Sequence, residues 1–237
     1  ERVFDTPDAN FLVDHSPAAF ARFCAFALDA SQGGRRGSYG GSILLSHAFD
    51  SELVRDVYRS RFGDVLLKEK IEAIVWKESL RVAKLLRERG VDIAHLLSHN
   101  ERLRFLLPVR NPMDCAVSSL HTGHFRLLRP DGSRDVRDIV AAILDELAWF
   151  RALSRAHGQQ RFFHFFEFEV DERLFQRLAG FLRLSQDERW TRDAVRCFVV
   201  RKGHEHDASL RQWYARRVQQ VFAADPEFAE KLARFAG

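Results

Sequence analysis

The sequence has 237 residues, 46% of them hydrophobic and 30% charged, and its 37 basic and 33 acidic side chains leave a net charge of +4. That length suits one large domain or two small ones, and the ordinary apolar fraction excludes disordered and low-complexity classes. No stretch approaches twenty uncharged apolar residues, so no membrane-spanning helix is expected.

Residues Glu1 to Phe11 lack the basic-then-apolar pattern of a secretion signal, and a start at Glu1 leaves room for an upstream segment. Among the basic residues only six are Lys and thirty-one are Arg. The Arg fork suits phosphate and sulfate oxygens, so an anionic ligand is permitted though not demanded. The arginines are spread along the chain, which argues against nucleic-acid binding. Cys24, Cys115 and Cys197 show neither metal-ligand spacing nor an even framework, so a reducing cytoplasm is the expected setting.

Ser16-Pro17 reads as a cap and first helical residue, followed by Phe20, Phe23, Ala27 and Leu28 at helical spacing until Gly33-Gly34. A strand over Phe23–Leu28 is the alternative. Gly33 to Ser42 is Gly-rich, and a helix with Leu53, Val54, Val57 and Tyr58 as its stripe follows from Ile43 onward. Short apolar runs at Ile71–Trp76, Leu103–Val109 and Arg161–Phe168 read as buried strands, with Val195–Val200 as a fourth extended piece. Between them lie helices at Leu80–Arg89, at Ser133 to His157, and around Leu174, Leu178 and Phe181. Leu210 to Phe222 is helical, and Asp225-Pro226 opens a last short helix.

Buried strands alternating with helices predict one α/β domain over 1–237, with a central parallel sheet of four to five strands flanked by helices. Ligands of such sheets sit beyond the carboxyl ends of the strands, so the loops after Trp76 and Val109 are the places to search for chemistry. After Val109 the chain reads Arg110-Asn111-Pro112-Met113-Asp114-Cys115-Ala116-Val117-Ser118. An Arg fork and a Ser hydroxyl eight residues on form a reasonable phosphate clamp, with Asp114 expected to cap the helix or to hold Arg110. The alternative is a plain strand-to-helix turn with a surface ion pair.

This segment resembles the 3′-phosphate-binding segment of sulfotransferases that use 3′-phosphoadenosine 5′-phosphosulfate (PAPS), with Arg110, Asn111, Pro112, Asp114 and Ser118 in the matching places. The resemblance implies a P-loop nucleotide-hydrolase-like fold, with Arg110 and Ser118 on the nucleotide 3′-phosphate. Arg201-Lys202-Gly203 resembles the family's loop that closes over the same phosphate, although His204-Glu205-His206-Asp207 departs from the usual continuation. Phe166-Glu167 followed by Phe181-Leu182 resembles a strand end and helix of the family and bears on fold alone. The family's 5′-phosphosulfate loop corresponds either to Arg36-Gly37-Ser38-Tyr39-Gly40-Gly41-Ser42, with Arg36, Gly37, Ser38, Gly41 and Ser42 as its binding residues, or to a segment upstream of Glu1.

Sulfuryl transfer needs a base at the acceptor and cations at the departing oxygens. Lys77 and Glu78 end the strand that precedes the Arg–Ser segment, with Glu78 as candidate base and Lys77 near the transferred group; a helix cap and a solvated strand end are the competing readings. His121 and His124 are candidates to face the acceptor, and no metal is required. The expected activity moves a sulfuryl group from PAPS to a hydroxyl or amine, on a carbohydrate or glycolipid by family analogy. Two rivals remain: a non-catalytic relative, and a small-molecule P-loop kinase, against which the missing Gly-Lys-Ser/Thr counts.

Overall fold

Helix caps written into the sequence start most of the elements. In the computed structural model, which describes residues 16–32, 49–63, 73, 75, 81–185, 187–200 and 203–237, Ser16 Oγ accepts the Ala19 N–H at 3.1 Å and opens α1 (Pro17–Gln32). Among the described residues three helices follow: α2 (Glu52–Phe62), α3 (Arg81–Glu88) and α4 (Ile93–His99), the last capped by Asp92, which accepts the His95 N–H at 3.0 Å. β1 (Phe105–Val109) leads into α5 (Pro112–Thr122), a single-turn α6 (Phe125–Leu128) and the long α7 (Val136–His157). β2 (Phe162–Phe166) ends in a 3-10 turn at Glu167–Glu169, followed by α8 (Glu172–Leu182), α9 (Glu188–Cys197), α10 (Ala208–Val221) and α11 (Pro226–Ala233).

The expected sheet of four to five strands is corrected. The described residues are 68% helical, and their only sheet is the parallel pair β1 and β2, in register from Phe105 opposite Phe162 to Val109 opposite Phe166. The run Val195–Val200 fails as a strand because a helix claims its first half. Asp187 accepts the N–H groups of Arg189 and Trp190, starts α9, and carries it through Cys197. Val199 and Val200 then stand 69% and 51% exposed, so their apolar character marks no buried strand. The alternative strand at Phe23–Leu28 is likewise helical, inside α1. Of Ile71–Trp76 only Ala73 and Val75 are described, and neither is in a strand.

The described residues gather into two compact units. One contains α1, α2, α4, α9 and residues 175–182, with Phe23, Leu86, Leu96 and Leu174's neighbour Phe175 among the buried side chains. Arg61 pairs there with Asp187, and Phe175 meets Trp190 edge to face at 5.7 Å.

The other contains the strand pair, α5, α6, α7, α10 and α11. Two parallel strands need a crossover, and here α5 to α7 supply it. The apolar stripe of α7 (Ile139, Val140, Ile143, Leu144, Leu147) packs in one core with Val109, Met113, Phe166, Tyr214, Val218, Phe228 and Leu232. Tyr214 is wholly buried, and its hydroxyl donates to the Leu232 carbonyl at 2.9 Å.

His164 lies in β2 with its ring against Phe228 at 5.3 Å. Burial, aided by the Arg151 and Lys231 cations and opposed by Glu169 and Asp225, lowers its pKa from 6.5 to about 4. The unfolded chain therefore binds a proton that the folded chain refuses between those two values. Stability from this residue is present above pH 6.5 and is lost as pH falls toward 4. Wild type should lose on the order of 2 kcal/mol across that window through His164, and His164→Phe should lose correspondingly less. Urea midpoints at pH 7 and pH 4.5 measure the difference; equal pH slopes for the two proteins would refute it.

Candidate functional site

The first residues past the paired strands are Arg110 and Glu167, because the last partners in register are Val109 and Phe166. Glu167 uses both oxygens at this exit. Its Oε2 lies 3.4 Å from Arg110 Nε, and its Oε1 accepts the Asn111 N–H at 2.9 Å. The Glu167 side chain is 12% exposed whereas that of Arg110 is 58% exposed. The carboxylate thus acts as an inner brace, and the rest of the guanidinium is presented to solvent. Arg110 is held by Glu167 and not by Asp114.

Asn111-Pro112 ends the strand and starts α5. Asn111 Oδ1 accepts the Met113 N–H at 3.0 Å, and Pro112 occupies the first turn, where its missing N–H costs nothing. The cap is therefore Asn111, and Asp114 is released from both tasks expected of it. The helix buries Pro112, Met113 and Ala116. Asp114, Ser118 and His121 follow at i, i+4 and i+7, which places them along one other face.

Segment 203–206 lies along that face. Asp114 Oδ1 accepts the His204 N–H at 2.9 Å and also takes His206 Nε2 at 2.8 Å. A carboxylate can only accept, so Nε2 of His206 carries the proton. The two side chains are 14% and 7% exposed. Two turns along α5 the His121 ring meets the His204 ring, centroids 6.2 Å apart, and His204 lies 6.4 Å from His206. Ser118, exposed, falls between these two points of contact on the helix face. An open concavity of about 440 Å³ adjoins, with Asn111, His204, Glu205, His206 and Arg211 in its lining.

Cys115 follows Asp114 in α5. Burial pushes its thiol up to about 11 against the lowering influence of Arg110, so it stays protonated at neutral pH and is no thiolate nucleophile. Among the described residues no group of three or more His, Cys, Asp or Glu is placed to hold a metal ion. Also among the described residues, no helix is long and apolar enough to cross a membrane.

Of the sequence-derived site residues, the structure describes Arg110, Ser118 and Gly203, and it brings the Arg110–Ser118 segment against the segment that begins at Gly203. Lys77, Glu78, Arg36, Gly37, Ser38, Gly41, Ser42, Arg201 and Lys202 lie outside the described residues. Sequence reasoning missed the brace by Glu167 and the role of His206. The signals at Glu167 were its position just past a Phe-dense strand and the Phe166-Glu167 resemblance, which was read as bearing on fold alone.

No protein-family model, curated protein or solved structure matches this chain.

Proposed function

We propose that this chain is a PAPS-dependent sulfotransferase. The reading rests on one observation above others: the Arg110–Ser118 segment and Gly203, read separately as parts of a phosphate site, come together where Asp114 of α5 holds the segment that begins at Gly203, although about 90 residues separate them. In this reading Arg110 and Ser118 hold the nucleotide 3′-phosphate, and Arg201, Lys202 and Gly203 close over it. The exposed guanidinium of Arg110 donates two N–H groups to phosphate oxygens while Glu167 keeps its Nε. Ser118 adds a hydroxyl donor from the same helix face.

The sulfuryl group passes in line to an acceptor hydroxyl or amine. The bond from sulfur to the acceptor oxygen or nitrogen forms as the bond from sulfur to the 5′-phosphate oxygen breaks, and 3′-phosphoadenosine 5′-phosphate leaves. A base takes the acceptor proton, and cations offset charge on the transferred group and the 5′-phosphate. The acceptor is a carbohydrate or glycolipid hydroxyl. The three free cysteines accord with a cytoplasmic setting.

The test is a calorimetric titration with 3′-phosphoadenosine 5′-phosphate, adenosine 5′-phosphate and ATP. The 3′-phosphorylated nucleotide should bind more tightly than the other two. Arg110→Ala should weaken it by about 1.5–3 kcal/mol, the usual worth of a hydrogen bond to a charged group, and should erase its advantage over adenosine 5′-phosphate. If wild type binds ATP as well as the 3′-phosphorylated nucleotide, or binds neither, the reading fails.

A further inference from the structure

Asp114 stands in neither of the places that a helix cap or an Arg110 partner would occupy. Its carboxylate is spent entirely on segment 203–206. One oxygen takes two donors, the His204 N–H and His206 Nε2, at 2.9 and 2.8 Å. The other oxygen faces Gly203 so closely that a Cβ built there would lie 2.5 Å from Oδ2 and 3.2 Å from Cγ. Real Cβ atoms do not make contacts under 3.0 Å. The Gly203 backbone is not in the left-handed region, unlike that of Gly123 at φ 77°. What position 203 requires is therefore room for the carboxylate, not glycine's conformational freedom. A short Asp side chain tied by two hydrogen bonds has no rotamer into which it can retreat without breaking them.

We infer that Asp114 is a positioning residue that latches segment 203–206 onto α5, so that the two halves of the anion site form or fail together. This rests on the nucleotide reading above, in which Gly203 belongs to the loop over the phosphate. The latch acts through a neighbour and touches no ligand itself. Its partners are a backbone N–H and a ring N–H, so an amide oxygen at position 114 can replace the carboxylate oxygen. Gly203 and Asp114 are two faces of a single contact, and a loss at one leaves little to lose at the other.

The experiment combines binding of 3′-phosphoadenosine 5′-phosphate with amide hydrogen exchange of the free protein, read by NMR at His204. Asp114→Ala should weaken the nucleotide by about tenfold, the worth of one lost hydrogen-bonded tie, and should speed His204 exchange while Ala116 in α5 stays protected. Asp114→Asn keeps the acceptor oxygen and should stay within about threefold of wild type. Gly203→Ala should cost about tenfold alone, yet the double variant Gly203→Ala with Asp114→Ala should bind no more weakly than Asp114→Ala. Costs that add in the double variant would overturn the latch, as would an Asp114→Ala protein that binds normally. If wild type binds no nucleotide, the phosphate reading falls and exchange alone decides the latch: unchanged His204 exchange in Asp114→Ala overturns it, and faster exchange upholds it.

Discussion

Truncating Phe166 to Ala should lower the unfolding free energy by about 3–5 kcal/mol, the cost of emptying a fully buried aromatic site. Phe166 is 0% exposed at the end of β2, where its ring lies 5.2 Å from Phe228, 5.3 Å from Phe168 and 6.2 Å from Phe235. It is also the residue opposite Val109, so it sits under the last pair of the strand ladder. The loss has two parts: the apolar surface no longer withdrawn from water, and a cavity that strands and helices on three sides cannot collapse to fill. Phe166→Leu, which keeps most of the volume, should cost only about 1–1.5 kcal/mol. Urea denaturation measures both. A loss under about 1 kcal/mol for the Ala variant would mean that this core relaxes freely, contrary to its packing.

Asp225→Ala should cost about 3 kcal/mol for a different reason. The Asp225 side chain is 11% exposed, with Oδ2 at 2.8 Å from Arg151 Nε and 2.6 Å from Arg155 Nη2. Those hydrogen bonds hold its pKa below the usual carboxylate value although burial works in the opposite direction. Removing the carboxylate strands the guanidinium of Arg151, which is 19% exposed and lies 4.8 Å from the Phe228 ring centroid. Arg155, half exposed, turns to water at little cost. The charge is thus worth most through Arg151. The double variant Asp225→Ala with Arg151→Met should recover part of the loss, since no stranded cation is left. A double variant as unstable as the sum of the two singles would show that the pair matters through packing alone.

What the sequence disclosed depended on how far each determinant reached. The helix α7 was visible because Ile139, Val140, Ile143 and Leu147 repeat at its own period. The turn at Asn111-Pro112 was visible because cap and proline act within three residues. The Val195–Val200 run misled because apolarity is a local property and burial is not: Asp187, eight residues upstream, had already committed the backbone to a helix. The fold class failed with it, since counting apolar runs as strands overstated the sheet. At the site the same division holds. That Arg110 leaves a strand and Ser118 lies on the helix after it was legible within one segment. Glu167 as the brace of Arg110, and His206 as the partner of Asp114, were not, because each relation is set by where the chain returns from 57 and 92 residues away.

That distance has a consequence for how the site comes into being. The ties that join its separate segments span 56 to 92 positions: Arg110 and Asn111 to Glu167, and Asp114 to His204 and His206. No locally ordered stretch of a nascent or nicked chain can hold such a site, since closing those loops is the slow and entropically costly part of folding. A fragment ending after β2 retains Arg110 and Glu167 but has nothing for Asp114 to grasp. The contacts of Asp114 therefore depend on residues 203–206 reaching α5 from about 90 positions away.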